Sequence, residues 1–202
     1  PMLNESLTEE NPLLSYNGKT FEGGLIAYFA KDVSCVIDFL TTLHSDDSHH
    51  LLASKLDMDR LGAFGVSLGG VIVSEASWKD RRIKASLIME SPIPKKIAQT
   101  GLPIPTMVIT RPAEAMRTER KKSGGWTEKD IEQHLSTMRA LFENTVESEF
   151  VQLPDMFHVD FTDVPLWIPF AQQLGLSGST PIEETHDRLN SLTLKFFEEY
   201  LQ

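Results

Sequence analysis

Short apolar runs along the chain alternate with longer stretches in which apolar residues recur every three or four positions. The short runs are bounded by polar or turn-forming residues and predict β-strands, whereas the longer stretches predict amphipathic helices. Strands that alternate with helices are typical of a parallel sheet covered by helices on both faces. The sequence therefore predicts an α/β fold with strands at Leu61 to Val66, Ile83 to Met89, Thr106 to Thr110 and Glu149 to Leu153.

The helix boundaries carry recognisable signals. Thr127, followed three positions later by Asp130, predicts a helix start with a near capping box. Thr180 as N-cap, with Pro181 at the first helical position, predicts the start of the last helix. A weak strand is expected at Leu25 to Phe29. The residues predicted to face the core are Val33, Val36, Ile37, Leu40 and Leu43 in the first helix, Ile131, Leu135, Met138 and Phe142 after Thr127, and Ile182, Leu189, Leu192, Phe196 and Phe197 in the last.

Composition and charge narrow the classes of function. The 202 residues are 41% hydrophobic, which is ordinary for a globular chain, and the formal net charge is −10. An acidic chain is a poor nucleic-acid binder, and no apolar run approaches the roughly 18 residues that a membrane span needs. The single cysteine, Cys35, excludes an intrachain disulfide, and no cluster of His, Cys and carboxylates has metal-ligand spacing. We therefore expect no metal and no cofactor.

The segment Gly65-Val66-Ser67-Leu68-Gly69 is a Gly-x-Ser-x-Gly motif at the junction of a predicted strand and a predicted helix. In this context the motif is typical of a nucleophile elbow, in which a sharp turn exposes a serine above the carboxyl edge of a sheet. We expect both glycines of the motif to be required because side chains would collide across the turn. The backbone N–H of Leu68, at the start of the helix, is then a candidate oxyanion donor.

A serine nucleophile needs a general base, and three histidines follow Ser67 in the chain. His134 and His186 lie within predicted helices, where we expect exposed or half-buried side chains without a catalytic role. His158 follows the last predicted strand by a few residues, and a base must come from such a loop to reach the elbow. The sequence therefore favours His158 as the base.

The acid partner is less sharply defined. Glu90 ends the strand that follows the elbow helix, and Glu114 follows the next strand. Both positions host acids in known variants of this architecture. A salt bridge to the nearby basic residues is an alternative role for Glu90, and a solvated loop charge is an alternative role for Glu114.

Three segments resemble the platelet-activating-factor acetylhydrolase group of the α/β-hydrolase superfamily. They are the run from Asp57 to Gly70, the strand ending in Met89-Glu90, and the run from His158 to Asp163. The likeness covers roughly residues 31 to 170, and it implies an α/β-hydrolase fold with Glu90 as the acid. The group usually has aspartate at that position, so the departure keeps Glu114 open as an alternative.

The activity implied is that of a serine esterase with the triad Ser67, Glu90 and His158 and with the Leu68 N–H in the oxyanion hole. The expected substrate is a small carboxylic ester with a short-chain or lipid-like acyl group. Trp167 and Phe170 lie in an apolar segment just after His158, and we expect them to contact that substrate. Residues 112–145 are a possible flap or insertion.

Apart from the weak strand at Leu25 to Phe29, four strands are predicted, and the elbow strand is the first of them. The whole of residues 1–202 is therefore interpreted as the C-terminal portion of a single α/β-hydrolase domain. Without a neighbouring strand on its other side, the elbow strand would expose a row of unpaired backbone N–H and C=O groups. We expect the remaining N-terminal half of the domain to be the partner of that edge.

Two other functions stay open on the sequence. One is a different acyl hydrolase on the same scaffold, such as a lactonase, an amidase or a polyester hydrolase, because substrate choice depends on loops rather than on the fold. The other is a non-catalytic, hydrolase-like protein that binds a ligand in the same pocket.

Overall fold

A computed structural model of the chain describes residues 25–46, 51–168 and 170–202. Its centre is a parallel sheet of four strands in the order β1-β2-β3-β4. The predicted fold class is confirmed, and three of the four strands have the bounds expected from the sequence. The fourth begins and ends one residue earlier than expected. The strands are β1 (Leu61–Val66), β2 (Ile83–Met89), β3 (Thr106–Thr110) and β4 (Ser148–Gln152).

Helices connect these strands and cover both faces of the sheet. One turn of 3-10 helix, His158–Phe161, follows β4. The α-helices are α1 (Leu25–Ser45), α2 (Leu68–Lys79), α3 (Lys95–Thr100), α4 (Ala113–Ser123), α5 (Glu128–Asn144), α6 (Val164–Trp167) and α7 (Ile182–Tyr200).

Two sequence predictions about the first helix are wrong. Residues 25–29 form the first turns of α1 and not a strand, because Ile26 and Ala30 continue the buried stripe that includes Ile37. Val36 was expected on that stripe, but it precedes the buried Ile37 by one position, so its side chain points away from the buried face and is 56% exposed. The buried face of α1 packs against α2 and the start of β2, through Ala76 and Ile83.

Of the two helix starts predicted further along the chain, the one at Thr127 agrees with the structure and the one at Thr180 does not. The capping box is confirmed, since the Thr127 hydroxyl accepts the Asp130 N–H and the Asp130 carboxylate accepts the Thr127 N–H. Thr180 is not the N-cap of the last helix. Pro181 occupies that position, and α7 begins at Ile182. Proline offers no side-chain acceptor, so this start rests on the fixed backbone of Pro181 instead of a capping hydroxyl.

The alternation of side chains along β2 divides the core between the two faces of the sheet. Leu87 and Met89 face α7, where they pack with Phe196. Ile88 faces the other side and packs with Leu141 of α5. Because both faces are covered, β2 and β3 are buried almost throughout.

The predicted flap at residues 112–145 contains α4 and α5. Helix α5 contributes Met138 and Leu141, both fully buried, to the core on one face of the sheet. This packing makes α5 part of the folded body, while the connection at 124–127 joins it to α4.

Strand β1 lies at one edge of the sheet in the part of the chain that the structure describes. Phe64 on this strand is 61% exposed, although it sits in the middle of an apolar run. The idea that a further half of the domain pairs with this edge stays a prediction. Among residues 25–46, 51–168 and 170–202, no helix combines the length and hydropathy of a membrane span.

Parallel pairing brings the carboxyl ends of three strands together. Val66 is level with Met89, and Met89 is level with Ile109. The residues that leave these ends, Ser67, Glu90 and the pair Thr110-Arg111, therefore meet at one edge of the sheet.

Candidate active site

Ser67 occupies the sharp turn between β1 and α2. Its φ of 55° lies in a region that residues other than glycine rarely adopt. The Ser67 N–H donates to the Met89 carbonyl at 2.9 Å, which ties the turn to the end of β2. Such a strained backbone persists only where the surroundings impose it, and it is common at functional sites.

The glycines around Ser67 are required at positions 65 and 70. A Cβ on Gly65 would lie 2.4 Å from the backbone of Gly69, so the turn closes only over a glycine. A Cβ on Gly70 would lie 2.0 Å from the Ser91 hydroxyl oxygen. The expected steric requirement at Gly69 is wrong, because a Cβ there meets no atom within 4 Å.

The imidazole of His158 reaches the serine. His158 Nε2 lies 3.1 Å from Ser67 Oγ, which is hydrogen-bond distance. The 3-10 turn after β4 carries this histidine, as the position after the last predicted strand indicated. His186 lies elsewhere: its Nε2 is 3.2 Å from the carbonyl of Asp160, and it is half-buried as expected.

Glu90, and not Glu114, lies beside His158. The Glu90 Oε1 atom is 3.9 Å from His158 Nδ1, which is longer than a hydrogen bond. Catalytic hydrogen bonds in unliganded sites are often long and shorten when substrate binds. Glu114 is on α4 with its side chain 80% exposed and pairs with Arg117, so it has the alternative role of a solvated charge.

The carboxylate of Glu90 is fully buried and held by two adjacent residues. Arg111 Nε donates to Glu90 Oε1 at 2.6 Å, and the Thr110 hydroxyl donates to Oε2 at 2.9 Å. Burial alone would raise the pKa of Glu90, but its interactions with His158, His134 and Arg111 outweigh that effect and lower the pKa to about 2. Glu90 is therefore a carboxylate at neutral pH.

His134 is a residue of this site that the sequence prediction missed. Its side chain is fully buried, whereas an exposed or half-buried position was expected. Its Nε2 lies 3.2 Å from the Thr110 hydroxyl oxygen, whose own proton goes to Glu90, so Nε2 must carry a proton. Burial lowers the pKa of His134 to about 4, which leaves the ring neutral at pH 7. The helical spacing from Ile131 to Met138 places position 134 on the buried face and is the signal that could have found it.

Trp126 borders the two histidines. Its ring centroid is 4.6 Å from that of His134 and 5.8 Å from that of His158. The guanidinium of Arg111 lies over the same ring at 5.9 Å. The connection between α4 and α5 thus places a half-buried indole beside the serine–histidine pair.

Of the remaining predicted site residues, Leu68 lies next to the serine. Leu68 is the first residue of α2, so its N–H has no acceptor within the helix and is positioned next to Ser67. Trp167 and Phe170 are 76% and 72% exposed, and their contact with a substrate stays a prediction. Within the described ranges, no three His, Cys, Asp or Glu side chains are grouped in a way that could hold a metal ion.

Of the comparisons with known proteins, the one with solved structures gives a match. Protein-family models do not match the sequence, and a search of curated proteins gives no match. Among solved structures, the chain is similar to a ferulic acid esterase from Streptomyces cinnamoneus, with a TM-score of 0.65 and 20% sequence identity. The match covers 92% of this chain and 51% of the esterase, so the chain spans about half the length of that structure.

This likeness shows the fold. Over the matched part, the two chains share an α/β fold, which in this chain is a parallel four-stranded sheet covered by helices. The match does not support the narrower resemblance to the platelet-activating-factor acetylhydrolase group, which therefore stays a prediction.

Two matched alanine substitutions test the geometry of the elbow. Gly65→Ala should lower the free energy of unfolding by about 1–3 kcal/mol, because the new methyl group meets backbone atoms. Gly69→Ala should leave it unchanged or raise it by up to about 1 kcal/mol, because the site is open and alanine favours the helix. Urea unfolding of both variants measures the difference, and equal losses would contradict the geometry.

The buried His134 should make stability depend on pH. The unfolded chain takes up a proton at this position below pH 6.5, whereas the folded chain does so only near pH 4. The free energy of unfolding should therefore fall as the pH falls through that interval. Urea midpoints measured between about pH 7 and pH 4.5 should drop less steeply in His134→Phe than in the wild type. Parallel curves for the two proteins would exclude His134 as a source of the acid sensitivity.

Proposed function

We propose that the chain carries the catalytic centre of a serine hydrolase that cleaves carboxylic esters. The observation that supports this most strongly is the 3.1 Å approach of His158 Nε2 to Ser67 Oγ on a strained strand-to-helix turn. A buried carboxylate, Glu90, lies on the far side of the same imidazole. The structural likeness to a ferulic acid esterase is consistent with this chemistry.

In the proposed first step, Ser67 Oγ attacks the carbonyl carbon of the ester. His158 Nε2 accepts the hydroxyl proton as the new C–O bond forms. The negative charge that develops on the carbonyl oxygen faces the first N–H groups of α2. A donor at Leu68 in this position contributes about 3 kcal/mol to lowering the barrier.

The tetrahedral intermediate then collapses to an acyl-enzyme. His158 gives its proton to the departing alcohol, and the acyl group stays on Ser67. In the second half of the cycle a water molecule attacks the acyl carbon, with His158 again as the base, and the carboxylic acid leaves.

Glu90 has an electrostatic role in this cycle. Its charge stabilises the imidazolium that His158 becomes in each step, and its position near Nδ1 favours the tautomer that leaves Nε2 free to accept a proton. Because its pKa is about 2, this charge is retained throughout the pH range in which a histidine base operates.

The substrate class is proposed to be esters with short-chain or lipid-like acyl groups. Trp167 and Phe170 present exposed apolar surface after the catalytic turn, which suits an apolar acyl or alcohol group. Lactones, amides and polyesters are alternative substrates for the same centre, because the centre itself does not select among them. A ligand-binding role without turnover is the competing function.

Removing the nucleophile tests the proposal directly. Hydrolysis of p-nitrophenyl acetate should fall by a factor of about 10⁴ or more in Ser67→Ala. A fluorophosphonate probe should label the wild-type protein on Ser67 and leave the variant unlabelled. A wild-type chain that neither turns over the ester nor accepts the probe would favour the binding function.

The acid is tested by comparing two glutamates. Glu90→Gln should lower kcat by up to about 10⁴-fold, since the imidazolium loses its counter-charge. Glu114→Gln, on the exposed side of α4, should leave kcat unchanged. Glu90→Asp keeps the negative charge on a shorter side chain and serves where the glutamine variant fails to fold. Full activity in both Glu90 variants would remove Glu90 from the triad.

A further inference from the structure

Glu119 lies on α4, outside the proposed triad, and yet it contacts two parts of the site. Its side chain is only 16% exposed. The Oε1 atom accepts a hydrogen bond from the His158 backbone N–H at 3.1 Å. The Oε2 atom pairs with Nη1 of Arg111. One carboxylate therefore connects the main chain of the proposed base to the cation that holds the proposed acid.

Arg111 makes this connection continuous. Its guanidinium is fully buried and donates through Nε to Glu90 and through Nη1 to Glu119. A buried cation that donates to two carboxylates fixes their relative positions, because a carboxylate that moves away loses its charge-assisted hydrogen bond. Glu90, Arg111, Glu119 and the His158 N–H thus form one chain of charge-assisted hydrogen bonds.

This chain matters because His158 sits on a single 3-10 turn. The first N–H groups of so short a helix have no acceptor within it, so the turn takes its position from outside contacts. Asp160 holds one side, since its Oδ2 accepts the N–H groups of Phe157 at 2.6 Å and of Gly178 at 2.8 Å. Glu119 holds the side toward the acid. The direct approach of His158 Nδ1 to Glu90, at 3.9 Å, is too long to do this itself.

The helix that carries Glu119 is itself anchored. Arg117 and Arg120 on α4 both pair with Glu128 at the start of α5. Since α5 packs in the core through Met138 and Leu141, α4 has a fixed support. Glu119 is therefore presented to the site from a rigid element.

We propose that Glu119 is a positioning residue for the general base, which sets the distance between the His158 imidazole and the Ser67 and Glu90 side chains. This inference rests on the proposed function. Glu119 has no role in binding the ester, so its loss changes the rate of the chemical steps and leaves substrate affinity unaltered. A misplacement of the base by about 1 Å is enough to cost up to about a hundredfold in rate.

The test compares Glu119→Ala and Glu119→Gln with Glu114→Ala, a substitution on the exposed side of the same helix. Steady-state hydrolysis of p-nitrophenyl acetate should show kcat reduced by about ten- to a hundredfold in Glu119→Ala, with KM within about twofold of the wild type. Glu119→Gln should be intermediate, because its amide oxygen can accept the His158 N–H but its second polar group can no longer accept from Arg111. Glu114→Ala should match the wild type.

An NMR measurement of the His158 backbone amide proton separates this proposal from the proposed function. Loss of the carboxylate acceptor should move this resonance upfield in both Glu119 variants and leave it in place in Glu114→Ala. Wild-type kcat in Glu119→Ala, a loss expressed only in KM, or an unmoved His158 resonance would each overturn the positioning role. A wild-type protein without ester turnover would overturn the proposed function instead, and the amide resonance would still decide whether Glu119 holds His158. Where Glu119→Ala fails to fold, Glu119→Gln decides by the same two measurements.

Discussion

A carboxylate with no exposure to water sits at the end of β2, and the arrangement around it depends on compensating that one charge. An isolated buried carboxylate would take up a proton, because desolvation disfavours the ionised form. At Glu90 the interactions with His158, His134 and Arg111 prevent this, and Arg111 and Thr110 donate hydrogen bonds to the carboxylate. Thr110 ends β3 and Arg111 follows it directly, so the register between β2 and β3 brings both residues to the Glu90 carboxylate. The imidazole of His158 can then be placed beside an anion that is present at all physiological pH values.

Two residues in left-handed backbone conformations mark the same edge of the sheet. Ser67 and Glu90, at φ values of 55° and 49°, each leave a strand and turn sharply. Such conformations cost of order 1–3 kcal/mol each and persist because surrounding contacts impose them. Here the Ser67 N–H is bonded to Met89 and the Glu90 N–H to Ile109, so each turn is fixed by the neighbouring strand. The backbone strain at Ser67 and Glu90 is therefore held in place by hydrogen bonds to the neighbouring strands and not by contacts among the side chains of the site.

The sequence was informative where local patterns decide the structure. Apolar runs bounded by turns located the strands, and the Gly-x-Ser-x-Gly motif with a histidine after the last strand predicted that Ser67 and His158 lie together, as they do. It was less informative where tertiary contacts decide. The choice between Glu90 and Glu114 required the pairing of β2 with β3, and the roles of Gly69 and Gly70 depended on what lies opposite each. Arg111 gave no local sign that it would be buried, because a lone basic residue after a strand is ordinarily solvated.

The side chain at position 90 is one carbon–carbon bond longer than the aspartate usual in the group that the sequence resembles, and the surrounding residues are matched to that length. The side chain of Glu90 extends from the end of β2 to the Thr110-Arg111 pair, so its carboxylate lies at the end of β3. Shortening it would withdraw the carboxylate from the guanidinium and from the imidazole together. The length of the side chain at position 90 and the guanidinium at position 111 are therefore interdependent: a shorter carboxylate at position 90 would keep its buried ion pair only if the end of the neighbouring strand changed as well.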